Sequence, residues 1–379
     1  MKILISMTEP FIIRSLLKSH IKWLVSKGCK VYVMCSDGDD ISWIESQGAK
    51  VFKISIRRQP SILRDIKCLI EMILVLKKLN PDIVHYSTPK SSLITPLAIK
   101  FSFIKAKSVY TVRGRVYENK SYIIKSIFKK IEKFSCKTAN KVIFISAEMQ
   151  TDFIKDKLVK KEKSILIGSG SSNGFDTSIF RKPSEVELND SKKVFGIPKN
   201  KTIISFVGRL TKDKGVEDLF YIISELSKKY SSISFLLVGK KEIDIENVLN
   251  TFSIDRDKIF FHDWTPEIQK AYWASDIMVF PSFREGFGNV CIESILCGVP
   301  VICYDVIGCR ESVKNNISGY LVPFRDKQAI IDKVSFIHEN ESVKNQLIYK
   351  GSLWAAKEFN QTLIWNGIFK IYNDLLLHD

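Results

Sequence analysis

Short apolar runs rich in β-branched residues alternate with stretches of helical periodicity along nearly the whole chain. Runs without polar alternation are typical of strands buried on both faces, and intervening helices are typical of parallel sheets with right-handed crossovers. The strand-like runs are Lys2–Ser6, Val31–Cys35, Ile83–Tyr86, Ser108–Val112, Lys141–Ile145, Ser164–Ile167, Thr202–Val207, Ser234–Val238, Lys258–Phe261, Ile277–Pro281 and Pro300–Cys303. The clearest helical patterns are Ile12–Lys27, Ser61–Leu79, Glu217–Lys229 and Val290–Cys297. A single open sheet rarely contains this many strands, so the pattern predicts an α/β protein with two doubly wound domains.

The length of 379 residues, with 45% hydrophobic and 26% charged residues, indicates a globular protein of two domains. Glycine, proline, serine and asparagine cluster within 168–201, which is typical of a domain boundary. We therefore predict an N-terminal domain over 1–170, a hinge or linker over 171–201 and a C-terminal domain over 202–350. A last helical segment over 351–379 is expected to pack back toward the N-terminal domain.

The eight cysteines do not have the spacing of a metal site. Those from Cys291 to Cys309 recur every six residues, whereas zinc ligands are commonly separated by about two to four residues. The opening residues are typical of a strand rather than of a signal peptide, so we expect reduced thiols and a cytosolic protein. Lysine or glutamate interrupts every long apolar stretch, and no membrane-spanning helix is predicted.

The most informative segment is a strand-like run that ends at Pro281 and continues through a glycine-containing loop into a helix. In an open α/β sheet such a loop lies at the carboxyl end of a strand, where ligands bind. Gly286 and Gly288 allow close backbone approach, and the N–H groups of the helix start favour an anion. Glu285 and Glu293 are suited to accept hydrogen bonds from neutral hydroxyls of the same ligand, such as sugar or ribose diols. The alternative is a surface loop with solvated glutamates.

A second strand–loop–helix segment carries two cations near a glycine, Gly208. Arg209 offers a planar fork for phosphate oxygens, and Lys214 offers a point charge. Together they are suited to neutralise a diphosphate held over the helix start. A basic turn with no ligand is the alternative.

The glycine-rich stretch from Gly168 through Gly170 to Gly174 has a different interpretation. Its spacing departs from that of a dinucleotide-binding loop, and no amphipathic helix follows it. We interpret it as an interdomain hinge and leave a ligand contact open.

All of the excess positive charge lies in the first part of the chain, because residues 1–170 contain 32 Lys and Arg against 14 Asp and Glu. Within it, Lys120–Lys141 combines seven lysines with an apolar stripe at helical spacing. Three interpretations compete: an anionic membrane surface, a solvated face, and nucleic acid. The sequence contains no zinc-finger or RNA-binding aromatic motif. We therefore favour the membrane surface and predict no nucleic-acid partner.

Three of these segments together resemble glycosyltransferase family 4, a retaining family with the GT-B fold. They are Glu285-x₇-Glu293, the loop Gly208-Arg209…Lys214-Gly215, and the hinge Gly168-Ser-Gly170…Asp176…Phe180. The resemblance runs across nearly the whole chain, and the subgroup it looks most similar to makes bacterial capsule and O-antigen repeat units. It implies two Rossmann-like domains that face each other across a cleft.

The resemblance implies a role for each matched residue. Glu285 would hold the donor sugar, while Arg209 and Lys214 would hold the diphosphate and stabilise it as the leaving group; these three are the catalytic candidates. Glu293 would hold the ribose hydroxyls of the donor nucleotide. The base is expected near His262-Asp263-Trp264. The other donor-binding candidates are Gly208, Gly286, Phe287, Gly288, Asn289 and Val290.

Two segments depart from the family pattern. Met7-Thr8-Glu9-Pro10 stands where many relatives carry a Gly-Gly pair, and Arg113-Gly114 stands where many carry histidine before glycine. A histidine role next to the donor sugar is therefore not carried over. Arg113, like Gly170, is a candidate for an acceptor or phosphate contact, with a charged loop residue as the alternative.

The resemblance implies transfer of a sugar, an N-acetylhexosamine or a hexose, from a UDP-sugar to a saccharide on undecaprenyl diphosphate. The enzyme would act peripherally at the inner face of the plasma membrane. We expect no cofactor and no metal, because the protein cations would take the role of a metal. Two alternatives are a sugar-nucleotide 2-epimerase on the same fold and a non-catalytic basic binding protein.

Overall fold

A computed structural model describes residues 1–17, 19–115, 121–198 and 200–377. The chain forms two units. Unit 1 comprises Met1–Gly174 with Thr362–Asp379, and unit 2 comprises Phe175–Gln361. The change of unit therefore lies between Gly174 and Phe175, near the start of the predicted linker.

Unit 1 is built on a parallel sheet that has seven strands in the described residues, in the order β3-β2-β1-β4-β5-β6-β7. The strands are β1 (Lys2–Ser6), β2 (Lys30–Cys35), β3 (Lys50–Lys53), β4 (Ile83–Ser87), β5 (Lys107–Val112), β6 (Lys141–Phe144) and β7 (Ser164–Leu166). Six of them coincide with predicted strands. The sequence did not predict β3, which is four residues long, lies at the sheet edge and begins and ends with exposed lysine.

The helices that follow these strands cover both faces of the sheet. They are α1 (Pro10–Leu17), α2 (His20–Ser26), α3 (Ile41–Ser46), α4 (Ile62–Leu79), α5 (Pro89–Ser102), α6 (Tyr122–Thr138) and α7 (Ala147–Lys155). Where one helix was predicted over Ile12–Lys27, the structure has α1 and α2; Lys18 lies outside the described residues. The predicted basic helix is present as α6, and its first predicted lysine, Lys120, also lies outside them.

Unit 2 has a parallel sheet with the order β10-β9-β8-β11-β12-β13 in the described residues. Its strands are β8 (Thr202–Val207), β9 (Ile233–Val238), β10 (Ile259–His262), β11 (Ile277–Phe280), β12 (Val301–Tyr304) and β13 (Gly319–Val322). Its helices are α8 (Glu185–Val194), α9 (Val216–Lys229), α10 (Ile245–Thr251), α11 (Gln269–Trp273), α12 (Asn289–Leu296), α13 (Cys309–Ser312), α14 (Lys327–Glu339) and α15 (Glu341–Phe359). The two sheets confirm the predicted doubly wound α/β class.

Residues 175–198 pack in unit 2, where the sequence predicted part of a linker. Helix α8 begins with a capping box between Ser184 and Glu187 and contacts α11. The indole Nε1 of Trp273 donates to the carbonyl of Arg181 at 2.7 Å. The side chains of the capping box and this indole hydrogen bond order a segment whose composition is typical of a loop.

The last helix, α16 (Gln361–Leu377), packs in the core of unit 1 from residue 362 onward. Its residues Ile364, Ile368 and Tyr372 join the buried cluster formed by β1, β2 and helices α1 to α3. Tyr372 also shares a hydrogen bond with Nδ1 of His85 on β4. Helix α16 thus covers the sheet face opposite α4 to α7, which right-handed crossovers place on the other side.

One buried carboxyl makes the stability of unit 1 depend on pH. Glu132 on α6 accepts a hydrogen bond from the hydroxyl of Tyr110 on β5 at 2.9 Å, and burial raises the pKa of its carboxyl to about 7. The folded state therefore holds this proton more tightly than the unfolded state. The stabilising effect is complete below the ordinary glutamate pKa and is lost as the pH rises through about 7.

We predict that Glu132→Gln, which is neutral at every pH, gains stability relative to the parent protein between pH 5 and pH 8. The expected relative gain is on the order of 2–3 kcal/mol. It is measured as the difference in the free energy of urea unfolding at the two pH values. Exposed Glu162 provides the control, since Glu162→Gln should show no such pH dependence; equal behaviour of the two variants would contradict the prediction.

Candidate active site

The loops that follow β8 and β11 lie at the point where the strand order of unit 2 reverses. Strands β8 and β11 are neighbours, while β9 and β10 extend the sheet on one side and β12 and β13 on the other. Parallel pairing places both carboxyl ends at the same edge. In doubly wound sheets this switch point leaves an open crevice between the diverging helices, so it is the natural ligand position.

The two loops contact each other through their backbones. The N–H of Phe283 donates to the carbonyl of Asp213 at 3.0 Å. Gly215 has φ +68°, and a Cβ added there would overlap the carbonyl oxygen of Pro281. Glycine at 215 therefore serves two needs, a left-handed backbone and a close approach to the neighbouring loop.

A partly buried ion pair joins the two loops. The Nζ of Lys214 contacts Oε1 of Glu285, and the two side chains are only 17% and 14% exposed. Ser282 donates to the same carboxylate oxygen at 2.9 Å. Burial raises the pKa of Glu285, while Lys214 and the Ser282 hydroxyl act in the opposite direction. The ammonium can make three hydrogen bonds, so contact with one carboxylate oxygen leaves it able to bind an anion as well.

Helix α12 begins beside this pair. Gly288 precedes it with φ +60°, and a Cβ there would lie 2.5 Å from Oγ of Ser312. Gly308 packs under the loop, because a Cβ at that position would lie 2.7 Å from the carbonyl oxygen of Glu285. The N–H groups of Asn289 and Val290 open α12, have no acceptor earlier in the helix and carry partial positive charge. The N–H of Cys291 donates to the carbonyl of Gly288 at 2.9 Å.

Glu293 lies one turn inside α12 and is half-buried. Its Oε2 accepts a hydrogen bond from the hydroxyl of Tyr272 on α11 at 3.0 Å. Burial, followed by the charge of Glu293, raises the pKa of Tyr272, so this tyrosine remains a donor. Tyr272 thereby orients the carboxylate from the adjacent helix.

Arg209 extends from the loop after β8 and is 56% exposed. Its guanidinium lies 3.5 Å from Glu242 and 4.0 Å from Asp213. Gly208, the preceding residue, packs so closely against Gly239 that a Cβ at Gly239 would overlap its carbonyl. The side chain of Arg209 is thus held loosely by two acids, in contrast to the enclosed Lys214.

The remaining residues of unit 2 that were predicted to bind the donor belong to the described part of the chain. Phe287 is buried and packs on Phe359, with ring centroids 5.6 Å apart. Val290 follows Asn289 in the first turn of α12. His262, at the end of β10, packs edge-on against Phe195 with 4.8 Å between ring centroids, and Trp264 is exposed. A base-binding role for this last segment stays a prediction.

The two predicted residues of unit 1 lie at the carboxyl edge of its sheet. Arg113 follows β5; it donates to Oγ of Ser87 at 3.3 Å and to the carbonyl of Ser172 at 3.1 Å. Burial lowers its pKa to about 10, which leaves the guanidinium charged at neutral pH. Gly170 has φ +100°, and a Cβ there would lie 2.5 Å from the carbonyl oxygen of Ile145. The left-handed backbone and the close approach to Ile145 together account for glycine at position 170.

The structure brings Lys214 and Glu285 into direct contact, although they were identified from separate segments. Sequence reasoning missed Ser282 and Tyr272, which hydrogen-bond to the two glutamates. A serine three residues before Glu285 was visible as a possible partner. No sequence signal pointed to Tyr272, because its contact with Glu293 depends on the packing of α11 against α12.

Two negative findings apply to the described part of the chain. Its histidine, cysteine and acidic residues form no group of three or more that could hold a metal ion. Nor does a helix there have the length and apolar character to cross a membrane.

Models of two protein families match this chain. "Glycosyltransferase Family 4" matches residues 15–177, and "Glycosyl transferases group 1" matches residues 189–354. The capsular polysaccharide biosynthesis glycosyltransferase CapM of Staphylococcus aureus is 30% identical over 375 residues, which cover 95% of this chain and 94% of that protein. An Escherichia coli protein, UDP-Gal:α-D-GlcNAc-diphosphoundecaprenol α-1,3-galactosyltransferase, is 26% identical over 310 residues, covering 80% and 78%.

Solved structures share the fold over nearly the whole chain. A glycosyltransferase from Rickettsia africae has a TM-score of 0.83 at 20% identity, covering 99% of this chain and 98% of that one. HepE of Anabaena, solved in complex with UDP, has a TM-score of 0.80 at 18% identity, covering 99% and 100%. These likenesses establish the GT-B fold that the sequence predicted.

We predict that Gly215→Ala destabilises unit 2 by at least about 3 kcal/mol. The left-handed conformation alone costs about 1–2 kcal/mol for alanine, and overlap with Pro281 adds to that cost. Gly196 is the matched control, since it has the same φ of +68° and nothing within 4 Å of an added Cβ. Equal losses for Gly196→Ala and Gly215→Ala in urea unfolding would show that the two loops do not constrain position 215.

Proposed function

Because this chain belongs to glycosyltransferase family 4, we propose that it transfers a sugar from a UDP-linked donor to a saccharide carried on undecaprenyl diphosphate. The reaction would build a capsule or O-antigen repeat unit and retain the anomeric configuration. The observation that carries the donor assignment is the Lys214–Glu285 pair beside the start of α12, at the switch point of the unit 2 sheet.

The chemistry of this position suits a nucleoside diphosphate sugar. Lys214 and the α12 N–H groups offer positive charge to a diphosphate, and the exposed guanidinium of Arg209 can leave its two weak acid contacts to join them. Glu285 would accept from hydroxyls of the donor sugar and Glu293 from ribose hydroxyls. The complex of the related HepE with UDP supports the choice of nucleotide.

The proposed reaction replaces one oxygen at the anomeric carbon by another. The acceptor hydroxyl forms the new bond to that carbon as the bond to the diphosphate oxygen breaks, and its proton passes to an oxygen of the departing diphosphate. Negative charge grows on the departing diphosphate, where the Lys214 ammonium, Arg209 and the α12 N–H groups would stabilise it. Because these positive groups would meet the charge of the leaving group, the proposed mechanism requires no metal.

Names of relatives support a lipid-linked acceptor. The Escherichia coli relative acts on a diphosphoundecaprenol-linked sugar, and a Campylobacter jejuni relative, 24% identical over 366 residues, is an N,N'-diacetylbacillosaminyl-diphospho-undecaprenol α-1,3-N-acetylgalactosaminyltransferase. Arg113, charged and half-buried at the carboxyl edge of the unit 1 sheet, would contact an acceptor or phosphate oxygen there. Gly170 lies in the loop after β7, two residues before Ser172, whose carbonyl accepts from Arg113.

The basic surface of unit 1 would hold the enzyme peripherally at the inner face of the plasma membrane. Four lysines of α6, namely Lys125, Lys129, Lys130 and Lys133, line one surface pocket with Asp156 and Leu158. Lys129 is paired with Asp156 at 2.5 Å. Clustered ammonium groups on one exposed helix face are suited to anionic lipid headgroups.

We predict that Lys214→Ala and Glu293→Ala each lower sugar transfer at least about tenfold, since each removes a charge-assisted contact worth roughly 1.5–3 kcal/mol. Lys212→Ala, in the same turn but exposed, is the matched control and should retain activity. Transfer is measured with a panel of UDP-sugars and a synthetic polyprenyl-diphosphate saccharide. Full turnover by either variant would remove its residue from the site, and donor conversion without acceptor would favour a sugar-nucleotide 2-epimerase.

A second prediction concerns the α6 lysines. Replacing the four lysines with glutamine should lower sedimentation with phosphatidylglycerol vesicles, because each lysine near the headgroups contributes about 1 kcal/mol. A control with the same change of charge uses exposed lysines of unit 2. These are Lys228, Lys229, Lys240 and Lys241. An unchanged bound fraction for the α6 variant would indicate a solvated face.

A further inference from the structure

Helix α4 of unit 1 has two apolar faces, of which only one lies in the core. The buried face consists of Cys68, Met72, Leu76 and Leu79. A second set of large aliphatic side chains is between 52% and 83% exposed. This set, here called the α4 stripe, consists of Ile62, Leu63, Ile66, Ile70 and Leu74. An ordinary surface helix carries polar residues opposite its core face, so α4 departs from that rule.

The α4 stripe is continuous along the helix. Its members follow one another at spacings of one, three or four residues, and at about 100° per residue they fall within a sector of about 120°. From Ile62 to Leu74 the stripe extends about 18 Å at 1.5 Å per residue. Contiguous exposed apolar surface of this kind marks a binding surface, whereas scattered apolar residues do not.

The α4 stripe lies on the same side of unit 1 as the lysines of α6. Crossovers from β3 to β4, β4 to β5 and β5 to β6 run in one direction across the sheet, so their helices share one face. Lys90 at the start of α5 is paired with Asp65 of α4 at 2.6 Å. Ser135 of α6 donates to the carbonyl of Ser92 in α5 at 2.8 Å. The three helices thus form one layer.

Further apolar side chains are exposed at both ends of this layer. Phe103, which follows α5, is 86% exposed, and Phe101 in the last turn of that helix is also exposed. At the other end, Ile123, Ile124 and Ile127 are exposed in the first turns of α6. Exposed apolar side chains of this layer therefore occur beyond α4 as well and include aromatic residues, which favour the boundary between headgroups and hydrocarbon.

Basic residues surround the α4 stripe, and the acidic residues of α4 are engaged within the protein. Glu71 accepts from the backbone N–H of Ser55 at 2.6 Å and from its hydroxyl at 2.9 Å, and Asp65 is paired with Lys90. The exposed basic residues on or next to α4 are Arg57, Arg58, Arg64, Lys67, Lys77 and Lys78. An apolar stripe bordered by cations is complementary to a surface with anionic headgroups over hydrocarbon.

We infer that the α4 stripe enters the hydrocarbon boundary of an anionic phospholipid bilayer while the surrounding basic side chains contact the headgroups. The inference rests on the proposed function in one respect, since a lipid-linked acceptor requires an enzyme at the bilayer surface. It adds an inserting element to the electrostatic contact of α6. A second copy of this chain is a poorer occupant, because two such faces would bring cations against cations.

The first experiment replaces three members of the α4 stripe, as Ile66→Gln/Ile70→Gln/Leu74→Gln. Because the side chains are exposed, we expect the fold to be retained. The matched control, Val186→Gln/Val194→Gln/Leu353→Gln, changes three exposed aliphatic residues of unit 2. We expect the first variant to bind phosphatidylglycerol–phosphatidylcholine vesicles at least about tenfold more weakly than the parent. Equal binding by the two variants would overturn the inference.

A second measurement separates insertion from charge attraction. The variant Ile70→Trp should give fluorescence, above that of the parent, that is quenched by phospholipids brominated in their acyl chains. The additional fluorescence of the control variant, Leu353→Trp, should not be quenched. If the Ile70→Trp variant binds vesicles and its added indole is not quenched, the enzyme adheres through charge alone, and the inference is overturned.

Two controls distinguish the inference from its alternatives. Sedimentation velocity without lipid tests the second-copy alternative; a parent dimer that becomes a monomer in the triple variant would assign the stripe to self-association instead. UDP affinity by calorimetry should be equal in the parent and the triple variant. A parent protein that binds membranes but no UDP would contradict the proposed function and leave the inserting stripe in place.

Discussion

The ion pair between Lys214 and Glu285 is the contact on which the candidate site depends. Taking two charges out of water is costly, and a third group, the Ser282 hydroxyl, helps to satisfy the carboxylate. The pair joins two loops that come from neighbouring strands but lie about seventy residues apart in the chain. Gly215 allows the backbones to come close enough for this contact. A diphosphate beside Lys214 would give the ammonium a second anionic partner.

The two units differ in the amount and the distribution of their charge. Unit 2 is close to electrically balanced in sequence and concentrates opposite charges at one sheet edge, where a donor with both phosphates and hydroxyls would bind. Unit 1 carries the excess of lysine and arginine, and many of these residues lie on and around the α4 to α6 layer. The opposite face of its sheet is closed by α16, whose aliphatic residues and Tyr372 complete the core. The α4 to α6 layer is thus the face of unit 1 that is suited to meet a surface.

Much of the fold was predictable because buried parallel strands are apolar along their full length. β1, β8 and β11 illustrate this pattern, and each lies where the sequence predicted it. Short elements were missed: β3 begins and ends with exposed lysine, and β13 begins with Gly319. In the site, Lys214 and Glu285 were predictable from glycine-containing loops after strands. Tyr272 was not, because its hydrogen bond crosses between two helices.

The sequence by itself determined the alternation of strands and helices, the two-domain organisation and the strand-end positions of Arg209, Lys214 and Glu285. These properties depend on periodicity and on local backbone chemistry, which residues close together in the sequence determine. Only the tertiary structure decided that Lys214 meets Glu285, that Tyr272 orients Glu293, and that one apolar face of α4 stays outside the core. Such facts depend on which elements become neighbours in space, and a helix with two apolar faces does not reveal from its sequence which one the core will cover.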